Sequence, residues 1–433
     1  MTVYGIDDID AVITSAGGGT AHLTVGRGDI VTPLARDHAN ESGVDIIVEE
    51  GAAPAHRAIR ISPPGRGPAT ALIGGTLAPD VSPSPALYRR GAPLQTRFLP
   101  RSRRTAVSRG AVDAPDGTPA RRVSRVVVVG AGRVGMITAM RLAETDLIDE
   151  IVLVDVMVGL AAGTALDISH SAGLLGFSTR LRGEPTVAAA GSAAYTVITA
   201  GRARQPGMSR SDLAGTNAAI VGTLAEAIAV TSPDGVIVVV TNPLDEMTEH
   251  AWRRSGLPSG RVIGMAGVLD TARFASLLSL TGIASAAEIR GLALGSHGNE
   301  MVIPRSLVTV NGSPAVGRID EAVLEAVIAR TRDSGAEVVG LLKTGSAFIT
   351  PGLSAAQMVI AMIREDDRVV TATVRPSGQY GVDETYIGLP VRLGRHGLAS
   401  IVELDLNPDE RRAIVSAASR IDERVRSVGG DHS

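Results

Sequence analysis

Five side chains between residues 204 and 297 have the types that proton transfer beside a bound carboxylate would need. His297 stands between glycines in LGSHGNE, and an imidazole titrates near neutrality, so it suits a general base. Asp270 would hydrogen-bond the other ring nitrogen, orient the ring and favour the imidazolium. Arg273 follows Asp270 by three residues, which puts both on one helical face. Its planar fork suits a carboxylate bidentately. Arg204 and Arg210 lie on a loop whose Pro206 and Gly207 suit a lid closing over a substrate. Moving a hydride to or from a secondary alcohol needs one group for the hydroxyl proton. It also needs positive charge to polarise the carbonyl. Spacing alone leaves a second reading open, because a histidine between glycines also makes a turn, and Asp270 with Arg273 also makes a helix salt bridge.

These groups must be held by elements, and the most informative stretch is Ser124 to Asp155, SRVVVVGAGRVGMITAMRLAETDLIDEIVLVD. Arg125 to Val129 is an apolar, β-branched run, as expected of a parallel strand buried on both faces. Gly130, Gly132 and Gly135 then spell G-x-G-x-x-G, a helical pattern follows, and a second strand ends on Asp155. The first glycine permits the tight turn, the second lets a pyrophosphate approach the backbone, and the third lets helix pack on strand. Free N–H groups at the helix start attract phosphate, and Asp155 can accept from a ribose 2′-hydroxyl. A dinucleotide site is the expectation.

From Val123 onwards strands and helices alternate. Helices are expected over 159–171 and 213–230, and strands over 195–200 and 236–240, the last running into Thr241-Asn242-Pro243. That alternation predicts an α/β fold, a Rossmann doubly wound parallel sheet with ligands beyond the strand C-termini. The second half changes texture. A helix is expected over 269–282 and a strand pair through Val302 to Val310. Helical stretches over 319–364 would be interrupted near Gly345 and Pro351-Gly352. A meander over 369–394 and a last helix capped by Asn407 would follow. This is an α+β catalytic domain. The expected boundaries are 123–265 for the dinucleotide domain, 266–428 for the catalytic domain and 429–433 for a tail.

What precedes them is unlike either. Residues 1–50 would form a small βαβ-like module, with a strand in AHLTV, a Thr32 cap, Pro33 at the first helical position, a helix over 34–42 and a return strand in VDIIVEE. Its TPLARD resembles short modules attached to enzymes of bacterial microcompartments, which implies docking on a protein shell or partner. Residues 51–122 hold many prolines and more arginines than acids, with no lasting apolar period, and should be a flexible, disordered linker. The start, MTVYGIDDID, lacks the basic-then-apolar order of a signal peptide.

Composition narrows the function classes. With no cysteine, disulfides, thiolate metal sites and thiol catalysis are excluded; no metal site is expected. A net charge of −3 and 2% aromatic residues argue against nucleic acid. No apolar run is expected to span a membrane, and a cytoplasmic location fits.

Several motifs in order carry a family resemblance: GAGRVG (130–135), ALDISH (165–170), ITAGRARQPGMSRSDLAGTN (198–217), VTNPLDEMT (240–248), RVIGMAGVLDTARF (261–274), LGSHGNEMV (294–302) and LLKTGSAF (341–348). From about Val123 to Val428 the chain resembles the lactate/malate dehydrogenase family, within it the malate dehydrogenases of lactate-dehydrogenase type. The resemblance implies an NAD-dependent enzyme in which His297 accepts the proton, Asp270 is its partner, Arg210 polarises the carbonyl and Arg273 binds the C1 carboxylate. Asn242 would bind substrate and the nicotinamide side, and Ala347 would line the substrate pocket. Gly130, Gly132, Arg133, Val134, Gly135, Asp155, Asn217, Thr241 and Asn242 would bind the cofactor. Asp155 would repel a 2′-phosphate, which favours NAD over NADP. In this family the residue six positions before the loop arginine reads the substrate's far end. Arg204 there implies a second carboxylate, as in malate, whereas lactate-type enzymes have glutamine; Gln205 is adjacent, so a one-residue slip would reverse the reading. An L-lactate or other 2-hydroxy acid dehydrogenase is the alternative, and a non-enzymatic NAD-binding scaffold is disfavoured because base and arginines are all present. The resemblance also implies a homo-oligomer, dimer or tetramer. Asn299, where an aspartate is usual, and ITPGLSA (349–355) depart from the pattern.

Overall fold

The computed structural model describes residues 3–4, 6–16, 21–26, 30–31, 38–39, 42–48, 122–157, 159–202, 210–298, 300–343 and 345–429. The chain divides into two compact units, Met1–Ser102 and Arg103–Ser433.

In the first unit, strands His22–Val25 and Asp45–Val48 pair in parallel, which requires a crossover between them. Gly43 has φ +68°, the left-handed conformation glycine adopts without strain just past a helix. The expected cap and helix start at Thr32, Pro33 and the rest of TPLARD lie outside the described residues, as does the Pro- and Arg-rich stretch 51–121. One element was not expected. Ile6–Ala16 is a helix, and its Ile9 joins Leu23, Val25, Val31, Ala39 and Val44 in a small core. Ile9 and Val12 lie at helical spacing, a period that Asp7, Asp8 and Asp10 around them obscure.

The second unit follows from its buried strands. β1 (Val123–Val129), β2 (Ile148–Val154), β3 (Arg180–Glu184), β4 (Tyr195–Ile198), β5 (Val236–Val239) and β6 (Val262–Gly264) are parallel, in the order β3-β2-β1-β4-β5-β6. The four residues of β4 and of β5 are all buried, as strands covered on both faces must be. Helices α1 (Arg133–Glu144), α2 (Leu160–Leu175), α3 (Val187–Ala190), α4 (Arg210–Thr231) and α5 (Leu244–Ser255) make the crossovers. Chain order reverses at β1 and β4, where a doubly wound sheet opens its crevice.

Contrary to the composition reading, one stretch, Leu213–Thr231 of α4, is long and apolar enough to cross a membrane by length and composition. It packs beside α5 and carries the buried, hydrogen-bonded Asn217, so one face of it belongs to the core.

The sheet does not stop at β6. Gly264 pairs antiparallel with Thr373 of β12 (Val370–Val374), so the expected domain segments 123–265 and 266–428 share one sheet within one compact unit. Before β12 come α6 (Gly267–Ser279), β7 (Ile289–Arg290), β8 (Leu294–Gly295), β9 (Met301–Val302), β10 (Thr309–Val310), β11 (Ser313–Pro314), α7 (Glu321–Leu342) and α8 (Ile349–Arg364). After it come β13 (Ile387–Gly394), β14 (Gly397–Ile401) and α9 (Pro408–Gly429), with β12, β13 and β14 forming the expected meander. The expected strand pair between Val302 and Val310 does not form. β9 pairs with β8 and β10 pairs with β7 and β11, because the chain turns away between them at Arg305–Leu307. Nor do Pro351 and Gly352 interrupt a helix. Pro351 sits in the first turn of α8, where its missing N–H would lack an intrahelical partner anyway. Asn407 caps α9 as expected, its Oδ1 accepting from the N–H groups of Asp409 (3.0 Å) and Glu410 (2.9 Å).

Gly352 is where α8 meets α1. A Cβ there would lie 2.7 Å from Ile137 Cβ and 2.9 Å from the Val134 carbonyl oxygen. The Gly352 carbonyl also accepts from Thr138 Oγ1 at 3.2 Å. Gly352→Val should therefore push α8 off α1 and lower the unfolding free energy by about 1–3 kcal/mol, the usual cost of overpacking; urea unfolding of both proteins measures it.

Candidate active site

The three glycines behave differently once their surroundings are known. Gly130 has φ +100°, and a Cβ on it would sit 2.6 Å from Thr199 Oγ1 and 2.7 Å from the Ala200 nitrogen. A Cβ on Gly135 would lie 1.8 Å from the Gly130 carbonyl oxygen, so that position admits only hydrogen. Both close contacts are internal, binding the turn to β4 and α1 to the turn. Gly132 is the exception, with no heavy atom within 4 Å of its would-be Cβ. It is open because it faces a groove of about 310 Å³, lined also by Arg133, Val134, Thr199, Gly201 and Phe348. Open space over the second glycine, at the start of α1, is what a pyrophosphate needs. The residues present fit a dinucleotide.

Asp155, at the end of β2, accepts from the Ala131 N–H through Oδ2 and from the Met157 N–H through Oδ1, both at 2.9 Å. It ties the glycine turn down and still offers lone pairs to a ribose. Arg133 is exposed, its guanidinium 5.2 Å from the Phe348 ring centre, a cation–π contact that links α1 to the loop before α8. Ala347 is half-buried on that loop.

Two residues expected at the cofactor also bond the backbone. The Asn217 side chain, 1% exposed, accepts from the Arg202 N–H at 2.7 Å and donates to the Asn242 and Arg202 carbonyls at 2.7 and 3.2 Å. Thr241 Oγ1 donates to the Ala200 carbonyl at 2.7 Å. Both join the ends of β4 and β5 to α4. These bonds pair the buried polar groups with backbone and fix the floor on which the expected cofactor contacts would stand. Asn242 is exposed at the end of β5, where a ligand can reach it.

The proton-transfer pair forms across the sequence. Asp270, on the first turn of α6 and 2% exposed, lies with Oδ2 2.8 Å from His297 Nδ1. Facing an ionised carboxylate, Nδ1 must carry the proton, which leaves Nε2 as the atom that takes or gives one. Arg273 Nη1 donates to Asp270 Oδ1 at 3.2 Å, one turn along the same helix. So Asp270 joins His297 and Arg273 in one hydrogen-bonded unit, and the Asp270–Arg273 helix salt bridge reaches the candidate base. Burial alone would lower the His297 pKa, yet the Asp270 charge, its hydrogen bond and the Asp245 charge outweigh it, and the ring is held above its ordinary 6.5. Arg204, Gln205, Pro206, Gly207 and Asn299 lie outside the described residues; of Arg210 only the backbone is described, as the first residue of α4.

A second acid beneath the base was not expected. Asp245, on the first turn of α5, is 1% exposed and accepts from Ser296 Oγ (2.8 Å), the His297 N–H (3.2 Å) and Thr373 Oγ1 (3.0 Å). In the sequence it looks like one of the acids that commonly open a helix after Asn-Pro, and nothing in the sequence alone marks it as buried.

Comparison with known proteins identifies the family. Residues 124–264 match the family model described as lactate/malate dehydrogenase, NAD binding domain, and residues 267–428 match the lactate/malate dehydrogenase, alpha/beta C-terminal domain. A malate dehydrogenase of Trichormus variabilis is 41% identical over 313 residues, covering 72% of this chain and 96% of the relative. One of Thioalkalivibrio sulfidiphilus is 42% identical over 290 residues, covering 67% and 94%. Among solved structures, the malate dehydrogenase from Salinibacter ruber matches with TM-score 0.67 and 37% identity, covering 71% of this chain and 98% of that one. A lactate dehydrogenase from Cryptosporidium parvum, complexed with lactic acid and the nicotinamide dinucleotide, matches with TM-score 0.68 and 32% identity, covering 72% and 99%.

Because the space over Gly132 is empty of protein and its φ of −68° suits any residue, Gly132→Val should fold with an unchanged melting temperature. Its branched side chain would occupy the groove, so NADH affinity, read by fluorescence titration, should fall by about tenfold or more. A lower melting temperature with unchanged NADH binding would contradict this assignment of the groove.

Proposed function

The chain belongs to the lactate/malate dehydrogenase family, and we propose from its site that it is an NAD-dependent malate dehydrogenase, interconverting (S)-malate and oxaloacetate. The observation that carries the reading is the His297–Asp270 pair with Arg273 on the same helix, at the mouth of a dinucleotide-type sheet. Bound NAD supplies the hydride acceptor. The protein's own residues do the rest. His297 takes the hydroxyl proton on Nε2 as the carbonyl forms, and Asp270 stabilises the imidazolium without moving. The remaining donors of Arg273 grip the C1 carboxylate, and Asn242 binds the substrate oxygen from the end of β5. Arg210 polarises the carbonyl from the loop before α4, and Ala347 leaves room for the substrate on the opposite side. Gly130, Gly132, Arg133, Val134, Gly135 and Asp155 hold the cofactor, with Asn217, Thr241 and Asn242 at its nicotinamide side.

Malate is favoured over lactate by the sequence R-x-P-G-M-x-R, Arg204 to Arg210. An arginine closing on a methyl group would be desolvated without a partner, whereas a second carboxylate pairs it. In steady-state assays kcat/KM should be far higher for oxaloacetate than for pyruvate, and Arg204→Gln should shift the ratio toward pyruvate by about a hundredfold. Faster turnover of pyruvate by the unaltered enzyme would sink the malate reading in favour of lactate. A homo-oligomer, dimer or tetramer, goes with the family, and sedimentation velocity tests it. The docking role for residues 1–50 has its support in the TPLARD resemblance; equal capture of shell proteins by the full chain and by a version starting at Val123 would remove it.

The base must be neutral to accept a proton, so malate oxidation should rise with pH through the His297 pKa, which lies above 6.5. Asp270→Asn removes the charge that raises it. The rising limb should move to lower pH and kcat should drop by about a hundredfold or more.

A further inference from the structure

We infer that Asp245 is a positioning residue for the base, a buried carboxylate that clamps the backbone of the histidine loop from behind and supplies a second negative charge to the imidazolium. The hold is geometric. Asp245 Oδ2 takes the Ser296 hydroxyl and the His297 N–H together, while Oδ1 takes the Thr373 hydroxyl from β12. One carboxylate thus fastens α5, the LGSHG loop and the first strand of the meander to a single point. Ser296 is 4% exposed and Thr373 0%, so no water competes for these bonds. The loop is gripped from its other side by Arg424 of α9. Its Nη2 donates to Ser296 Oγ (3.0 Å), Nε to Glu246 Oε1 (2.6 Å) and Nη1 to Glu300 Oε2 (3.3 Å).

The charge is the second half of the inference. The ionisable groups that face Asp245 are Glu246 on its own helix, His297 on the loop and Arg424 on α9. Burial and Glu246 push the Asp245 carboxyl up to about 6, against the donors and the His297 charge that favour its ionised form. A buried acid with so little to spare is most stable as an anion when His297 is protonated, so the two titrations are coupled. A structural acid needs only the hydrogen bonds; one placed behind the base also answers the charge that forms on it during turnover.

Asn separates the two functions. In Asp245→Asn the amide oxygen still accepts from Ser296 and His297, and the amide N–H₂ meets a Thr373 hydroxyl that can turn to accept. The experiment is an NMR titration of the histidine ring protons in the full chain, with His297 assigned by the resonance missing from His297→Asn. The His297 pKa should fall by about half a unit or more in Asp245→Asn, and the alkaline-rising limb of malate oxidation should move with it. In Asp245→Ala, which also loses the clamp, kcat should fall at least tenfold further while KM for NADH stays within twofold. Should Asp245→Asn not fold, Thr373→Val keeps the acid and removes one donor, and the His297 pKa should still fall, by less. An unmoved His297 pKa in the variants that fold overturns the inference, as does full turnover by Asp245→Ala. The inference rests on His297 being the base, but the ring titration does not depend on turnover. An active His297→Asn enzyme would defeat that reading on its own.

Discussion

One buried carboxylate organises the chemistry of this protein. Asp270 is almost wholly out of water, a state that would be costly for an unpaired charge. It is tolerable because an imidazole and a guanidinium converge on its two oxygens. The same pairing fixes the tautomer of His297, raises its proton affinity and anchors Arg273 one turn along the same helix. Stability and reactivity therefore draw on one set of hydrogen bonds. Replacing any of the three leaves a buried charge or an unanchored ring.

The sheet brings that unit to the cofactor. β6 is the last parallel strand of the dinucleotide half and the first partner of the antiparallel half, so α6 with Asp270 starts from the same C-terminal end of the parallel strands as the glycine turn. A Cβ on Gly267, the first residue of α6, would lie 2.1 Å from Thr371 Cγ2. The helix is thus seated on β12 with no slack, and the direction of Asp270 is set by backbone packing. Gly352 performs the matching function for α8 against α1. The base sits over two layers of polar anchorage, Asp270 beside its ring and Asp245 beneath its backbone, each in contact with a different helix.

How much of this could be read from the residues alone depended on locality. Strand, glycines, helix, strand and Asp155 are contiguous, and each residue's task is set by neighbours a few positions away, so the turn and its acid appear where the pattern puts them. His297, Asp270 and Arg273 were legible as chemical types, and the family resemblance paired them. That the side chains of Asn217 and Thr241 tie strand ends to backbone was not legible, since residue type cannot say which way a side chain at a strand or helix end points. The helix over Ile6–Ala16 went unread because its acids mask a short apolar period, and the pairing of β9 and β10 failed because strands of two residues carry no register signal.

By itself, the sequence determined the fold class, the dinucleotide turn, the family and the candidate base with its partner and arginines, because these rest on residue type, short-range spacing and ordered motifs. Only the tertiary structure decided that Asp270 grips His297 and Arg273 at once, that Asn217 and Thr241 serve the backbone, and that Asp245 lies buried behind the base. A hydrogen bond is decided over about 3 Å, between groups that here stand 27, 51 and 128 residues apart in the chain. Whether an acid is solvated at a helix start or sealed beneath a catalytic loop depends on what packs over it, and that is settled only when the sheet has closed.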